Sequence, residues 1–178
     1  VFDQDLGGWN LSNAENIGFM FNNADAFNNG SNSKGTGING WDVSKCTHFA
    51  GLFRYTETFN RDISGWVTDS NLSLDRTFHG ANAFSGDISN WNVSNVTNMH
   101  AFASGADYFD NDLSEWDVSN VTSLEFAFST TKSNFDVSNW DVSKVTSIKG
   151  VFTNCTEFNQ SLGSWNLNSL EDATKIYN

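Results

Sequence analysis

The chain has no proline, only two cysteines and only nine lysines and arginines among its 178 residues. It also lacks any run of 18 apolar residues, so no segment of this fragment reads as a membrane-inserting helix. The shortage of basic residues excludes the most. Twenty-one acidic residues outweigh them, for a net charge of −12. The clustered Lys and Arg that a phosphate backbone or an anionic bilayer demands are missing, which argues against nucleic acid as a partner. The two cysteines, Cys46 and Cys155, stand far apart in the chain. In the repeat described below they fall four coils apart and in different columns. That is too far for the roughly 7 Å a disulfide spans, so both read as free thiols in apolar slots. Zinc-ligand spacings, glycine-rich phosphate loops and nucleophile elbows are absent too. His48, His79 and His100 occupy three different positions of the repeat. The expectation is that the chain is not an enzyme.

What the chain has in abundance is aromatic residues at fixed intervals. Its seven tryptophans are Trp9, Trp41, Trp66, Trp91, Trp116, Trp140 and Trp165, with gaps of 32, 25, 25, 25, 24 and 25 residues. A period this regular marks a tandem repeat whose units stack on one another. Apolar columns run in the same register. Three residues before each Trp stand Leu6, Ile38, Ile63, Ile88, Leu113, Val137 and Leu162. Eight after stand Ile17, Phe49, Leu74, Met99, Leu124, Ile148 and Ala173. Two phenylalanine columns follow, one through Phe21, Phe53, Phe78, Phe128 and Phe152, the other through Phe27, Phe59, Phe84, Phe109 and Phe158.

Within a unit, Trp-x-Val has period two and reads as a short strand. The next apolar positions step by three or four and read as one or two helical turns. Ser12, Ser44, Asp69, Ser94, Ser119, Ser143 and Asn168 stand between the two as helix N-caps, with Glu15 and Glu171 completing capping boxes. The expected fold is therefore an α/β solenoid. It is a leucine-rich-repeat-like, right-handed stack of about seven 25-residue coils, with a parallel sheet on one face, forming a single domain over residues 1–178. The chain opens and closes inside a repeat, which suggests an excerpt from a longer surface protein.

Two irregularities interrupt the period. The second unit carries about seven extra residues around Asn29–Gly35, read as a flexible loop. The unit after Trp116 is one residue short and has Ser133 where a phenylalanine is expected, with Phe135, two places on, positioned to refill that slot.

The segments Phe59-Asn60-Arg61-Asp62-Ile63-Ser64-Gly65-Trp66 and Trp91-Asn92-Val93-Ser94-Asn95-Val96-Thr97-Asn98-Met99 resemble a bacterial surface-protein repeat of about 25 or 26 residues and unknown function. Val96-Thr97-Asn98-Met99 through Ala106 is also similar to the BspA-like leucine-rich repeats. The resemblance covers nearly the whole chain and implies a secreted or surface-anchored protein used for adhesion or recognition.

If Trp points inward, its neighbours point outward. They give a candidate binding face of Asn10, Asp42, Asn90, Asn92, Glu115, Asp117, Asn139, Asp141 and Asn166 for a protein or carbohydrate partner. Four residues before Trp runs an aspartate column that includes Asp62, Asp87, Asp112 and Asp136. Such carboxylates can accept backbone N–H groups in their own turns. Calcium bridging is the alternative, although no EF-hand or nonapeptide calcium motif is present. The expected function is a non-catalytic recognition or adhesion module at the cell surface that needs no cofactor. The alternative is a passive stalk or spacer, with calcium as a stabilising ion.

Overall fold

The computed structural model describes residues 2–30 and 37–177. The part of the extra loop that spans residues 31–36 lies outside the described residues. The strand–helix alternation does not form. Among the described residues the one helix is a 3₁₀ turn at Gly37–Gly40, and there is no strand. The α/β solenoid with leucine-rich-repeat-like coils and a parallel sheet is therefore corrected. The chain is instead a succession of tight turns, joined from one unit to the next by six isolated parallel bridges from Asn16↔His48 to Ser147↔Asp172.

The hydrogen bonds explain why. After each Trp-x-Val, the chain makes overlapping four-residue turns. Leu52 N–H donates to the Phe49 carbonyl, Arg54 N–H to that of Gly51, and Thr56 N–H to that of Phe53. These turns produce the three-residue apolar steps that resemble a helix. A helix is blocked because every coil puts residues with positive φ at the same two places, ten and fourteen after Trp. They are Phe19 and Asn23, Gly51 and Tyr55, Arg76 and Gly80, Ala101 and Gly105, Phe126 and Thr130, and Gly150 and Asn154, with Lys175 at the first of the two places in the last coil. A left-handed residue in the third position is what a type II turn requires, and it breaks helical propagation.

The peptides between these turns bond to the neighbouring coils. Phe49, Gly51, Phe53 and Tyr55 donate their N–H groups to the carbonyls of Ser73, Asp75, Thr77 and His79. Leu74, Arg76, Phe78 and Gly80 do the same to Asn98, His100, Phe102 and Ser104. In each of these peptides the carbonyl faces the preceding coil and the N–H faces the following one. A second rung runs the opposite way, from Thr97 N–H to the Leu72 carbonyl and from Thr122 N–H to that of Thr97. The threonine hydroxyls donate to those same carbonyls.

The core is aromatic. Paired phenylalanines lie face to face across each regular coil, with centroids 3.9 Å apart for Phe53–Phe59 and 3.8 Å for Phe152–Phe158. Tryptophans stack coil on coil, Trp41–Trp66 at 6.1 Å and Trp66–Trp91 at 6.0 Å. Five indoles donate to the main-chain carbonyl three residues before the preceding Trp, as Trp66 Nε1 does to Ile38 at 2.8 Å. Trp9 departs from the inward reading. It stacks on Trp41 yet is 51% exposed. Phe135 does refill its column, but edge-on to Phe128, with planes at 62°. Cys46 is buried and Cys155 half-buried, and both thiols are free. Burial, with a smaller push from Asp42, raises the Cys46 thiol to about 11.

Candidate functional site

Two surfaces flank the core, and the sequence pattern foresaw one of them. The Trp-flanking residues are all solvent-facing: Asn10, Asp42, Asn90, Asn92, Glu115, Asp117, Asn139, Asp141 and Asn166. They do not sit on a strand face. Asn10, Asp42, Asn92, Asp117, Asp141 and Asn166 each accept the N–H of the residue two positions on, closing an Asx turn. The aspartate column four residues before Trp closes a second row of the same turns. Asp62 accepts from Ser64, Asp87 from Ser89, Asp112 from Ser114 and Asp136 from Ser138.

The serines read as helix N-caps are thus the donors of a turn, not the caps of a helix. Hydrogen bonds from the serine two positions on, in both rows, hold the Asp42, Asp87, Asp112, Asp117, Asp136 and Asp141 carboxyls below the usual range. This Asx wall is strongly acidic but spread out. Among the described residues, no three His, Cys, Asp or Glu side chains come together as a metal cluster. Calcium takes six to eight oxygens. A single row of carboxylates already committed to their own turns does not fit it.

The second surface was not foreseen. It is built on the left-handed turns, between nine and fourteen residues after each Trp. The Arg54 guanidinium lies 4.5 Å above the Tyr55 ring, and Tyr55 Oη is 3.0 Å from His79 Nε2. One coil on, Arg76 pairs with Asp75 at 2.8 Å, and His100 Nδ1 meets the same carboxylate at 2.9 Å. Further along, Lys149 pairs with Glu125 at 3.3 Å and sits over the Phe126 ring. Burial holds the His79 imidazole below its ordinary value, and the nearby Arg54 and Arg76 add to the effect. Tyr55 and Phe126 lie over glycines of the next coil. A Cβ at Gly80 would collide with the Tyr55 ring, and one at Gly150 with Phe126. Glycine at the two left-handed positions was the available signal. It was obscured because Phe, Tyr, Arg, Ala and Thr occupy the same positions in other coils.

The chain matches the family described as Mycoplasma protein of unknown function, DUF285, over residues 1–36, 30–134 and 73–178. The chain belongs to this family. No curated protein and no solved structure matches it. The three overlapping DUF285 matches run across the whole chain, consistent with a repeated unit. No helix among the described residues of this DUF285 chain is long and apolar enough to cross a membrane.

Proposed function

We propose that this DUF285 chain is a non-catalytic recognition or adhesion module of a secreted or cell-surface protein, binding a protein or carbohydrate partner. One observation carries the reading: the framework repeats while the turn wall does not. The Trp, Asx and Thr positions recur because most of them make the same bond from coil to coil: five indoles, six Asx residues after Trp, and Thr47, Thr97, Thr122 and Thr146. The residue ten after Trp, in contrast, is Phe19, Gly51, Arg76, Ala101, Phe126, Gly150 or Lys175. The backbone ladder holds this position in coils that carry different side chains there, so its chemistry varies from coil to coil and is available to a partner. Tyr and Arg, the residue types that dominate binding hot spots, gather there at Arg54, Tyr55 and Arg76. The likeness of Val96-Thr97-Asn98-Met99 to BspA-like repeats is a further ground for the surface role, separate from the fold.

A protein and glycan array probed with the chain and with a triple variant, Arg54→Ser, Tyr55→Ser and Arg76→Ser, tests this. Loss of the partner's signal in a variant that melts like the parent is expected. A companion variant at Asn90, Glu115 and Asn139 reports on the Asx wall. No array signal for the parent, or one that both variants retain in full, favours a passive spacer instead.

A further inference from the structure

The short coil after Trp116 interrupts the framework in one place. In the preceding coils the edge turn is closed by one bond and tied back to its neighbour by another. Phe84 N–H donates to Ala81 and Ala83 N–H to Glu57. In the next coil, Phe109 N–H donates to Ala106 and Tyr108 N–H to Asn82. With one residue missing, the turn at 132–133 does not form. Neither the Ser133 nor the Asn134 N–H donates a hydrogen bond among the described residues, and the Asp107 and Lys132 carbonyls accept none. The segment runs extended instead. Thr131, Ser133, Phe135 and Val137 are buried, and Lys132, Asn134 and Asp136 are exposed, which is a period of two.

A groove of about 620 Å³ opens over this segment, lined by Asp107, Tyr108, Asp110, Lys132, Ser133 and Glu157 among others. Ser133 is 5% exposed, and its hydroxyl has no hydrogen-bond partner among the described residues. Tyr108 is 69% exposed. Lys132 is neutralised by Asp107 at 3.0 Å. Asp110 and Glu157 take part in no ion pair among the described residues, so the groove keeps an unbalanced negative charge.

We propose that this groove binds an extended peptide segment carrying lysine or arginine. The unmet groups are the Ser133 and Asn134 N–H and the Lys132 carbonyl on an extended segment, with the Asp107 carbonyl on the coil before it, and the complement of an extended main chain is another extended main chain. Asp110 and Glu157 select cationic side chains, and the Tyr108 ring offers a face to one of them. The proposal rests on the recognition reading above and adds to it a site and a partner class. The deletion that breaks the repeat is what makes the site.

The test is fluorescence polarisation with a labelled, end-capped peptide of alternating arginine and serine, using the full chain. Inserting one aspartate between Ser133 and Asn134 restores the common 25-residue spacing and should rebuild the turn. Binding should weaken at least tenfold while the melting temperature stays level or rises. If the insertion variant does not fold, the double variant Asp110→Asn, Glu157→Gln takes its place with the same expectation. Spermine should compete poorly. Unchanged binding in the folded variant, or spermine competing as well as the peptide, overturns the proposal by reducing it to bulk charge attraction. So does a peptide that does not bind the parent chain. If that happens while the Arg54, Tyr55, Arg76 variant still loses its array partner, only this inference falls. If both fail, the recognition reading falls with it.

Discussion

The Asx wall and the turn wall are built on the same coils, yet they use side chains in opposite ways. On the Asx wall the side chain completes the backbone. Asp87 and Asn92 each hold a turn N–H, and their two columns are mostly Asp or Asn, with Val67, Gly37 and Ser161 as the departures. On the turn wall the backbone completes itself, through bonds such as Arg76 N–H to His100 and Gly80 N–H to Ser104. Its side chains instead pair with one another, as Arg76 does with Asp75, or lie over glycines, as Tyr55 does. Periodicity in a repeat protein therefore marks what the fold needs, and departures from periodicity mark where a function can be written.

The largest effect is expected beneath both walls. Trp91 is buried at 3% exposure between Trp66 and the phenylalanines. Trp91→Ala should cost about 3–5 kcal/mol in urea unfolding. A loss below about 1 kcal/mol would mean that the tryptophan column does not carry the core. The next effect lies on the turn wall. Gly80 has φ +69 under the Tyr55 ring. Gly80→Ala should cost about 1–2 kcal/mol for the left-handed backbone alone, with the ring collision added. Combining it with Tyr55→Ala should recover the collision part and leave the backbone part. Simple additivity of the two would show that the ring does not sit over the glycine.

The Asx wall should respond to acid. Its aspartates have folded pKa values depressed by serine hydrogen bonds. Their contribution is present above the unfolded carboxylate range and is lost as the pH falls through the lower folded values. Thermal melts from pH 6 down to pH 2 should therefore show falling stability. Asp87→Asn, Asp117→Asn and Asp141→Asn together should blunt that fall and leave neutral-pH stability nearly unchanged, because Asn10 and Asn92 already close the same turn. An acid profile identical to the parent's would remove the titration from these groups. The smallest effect is expected for Arg54→Ala, at most about 0.5 kcal/mol. A larger loss in a calorimetric scan would give the turn wall a structural duty and erase the contrast.

Much of this was legible in the sequence. The Trp and Phe periods located the core, and the alternation on either side of Trp located the exposed residues of one wall. The secondary structure was misread because overlapping turns and helices both place apolar residues three or four apart. Only backbone sign separates them, and Phe19, Tyr55, Arg76 and Phe126 take left-handed conformations that such side chains rarely adopt. Serine two residues after an Asx also serves equally well as a cap or as a turn donor. The turn wall was invisible for a simpler reason. Arg54, His79 and His100 come together through stacking of different coils, and no single unit contains the cluster.

The ladder peptides have one more consequence, an electrical one. In a β-strand, successive peptide dipoles largely cancel. Here the peptides that carry Phe49, Gly51, Phe53 and Tyr55 N–H all point the same way, and only two rungs of that coil, at Thr47 and Thr58, oppose them. Each coil therefore adds several aligned dipoles to a sum along the stacking axis, as residues do in an α-helix. The units repeat, but the column has a positive pole and a negative pole, and its polarity is set by chain direction.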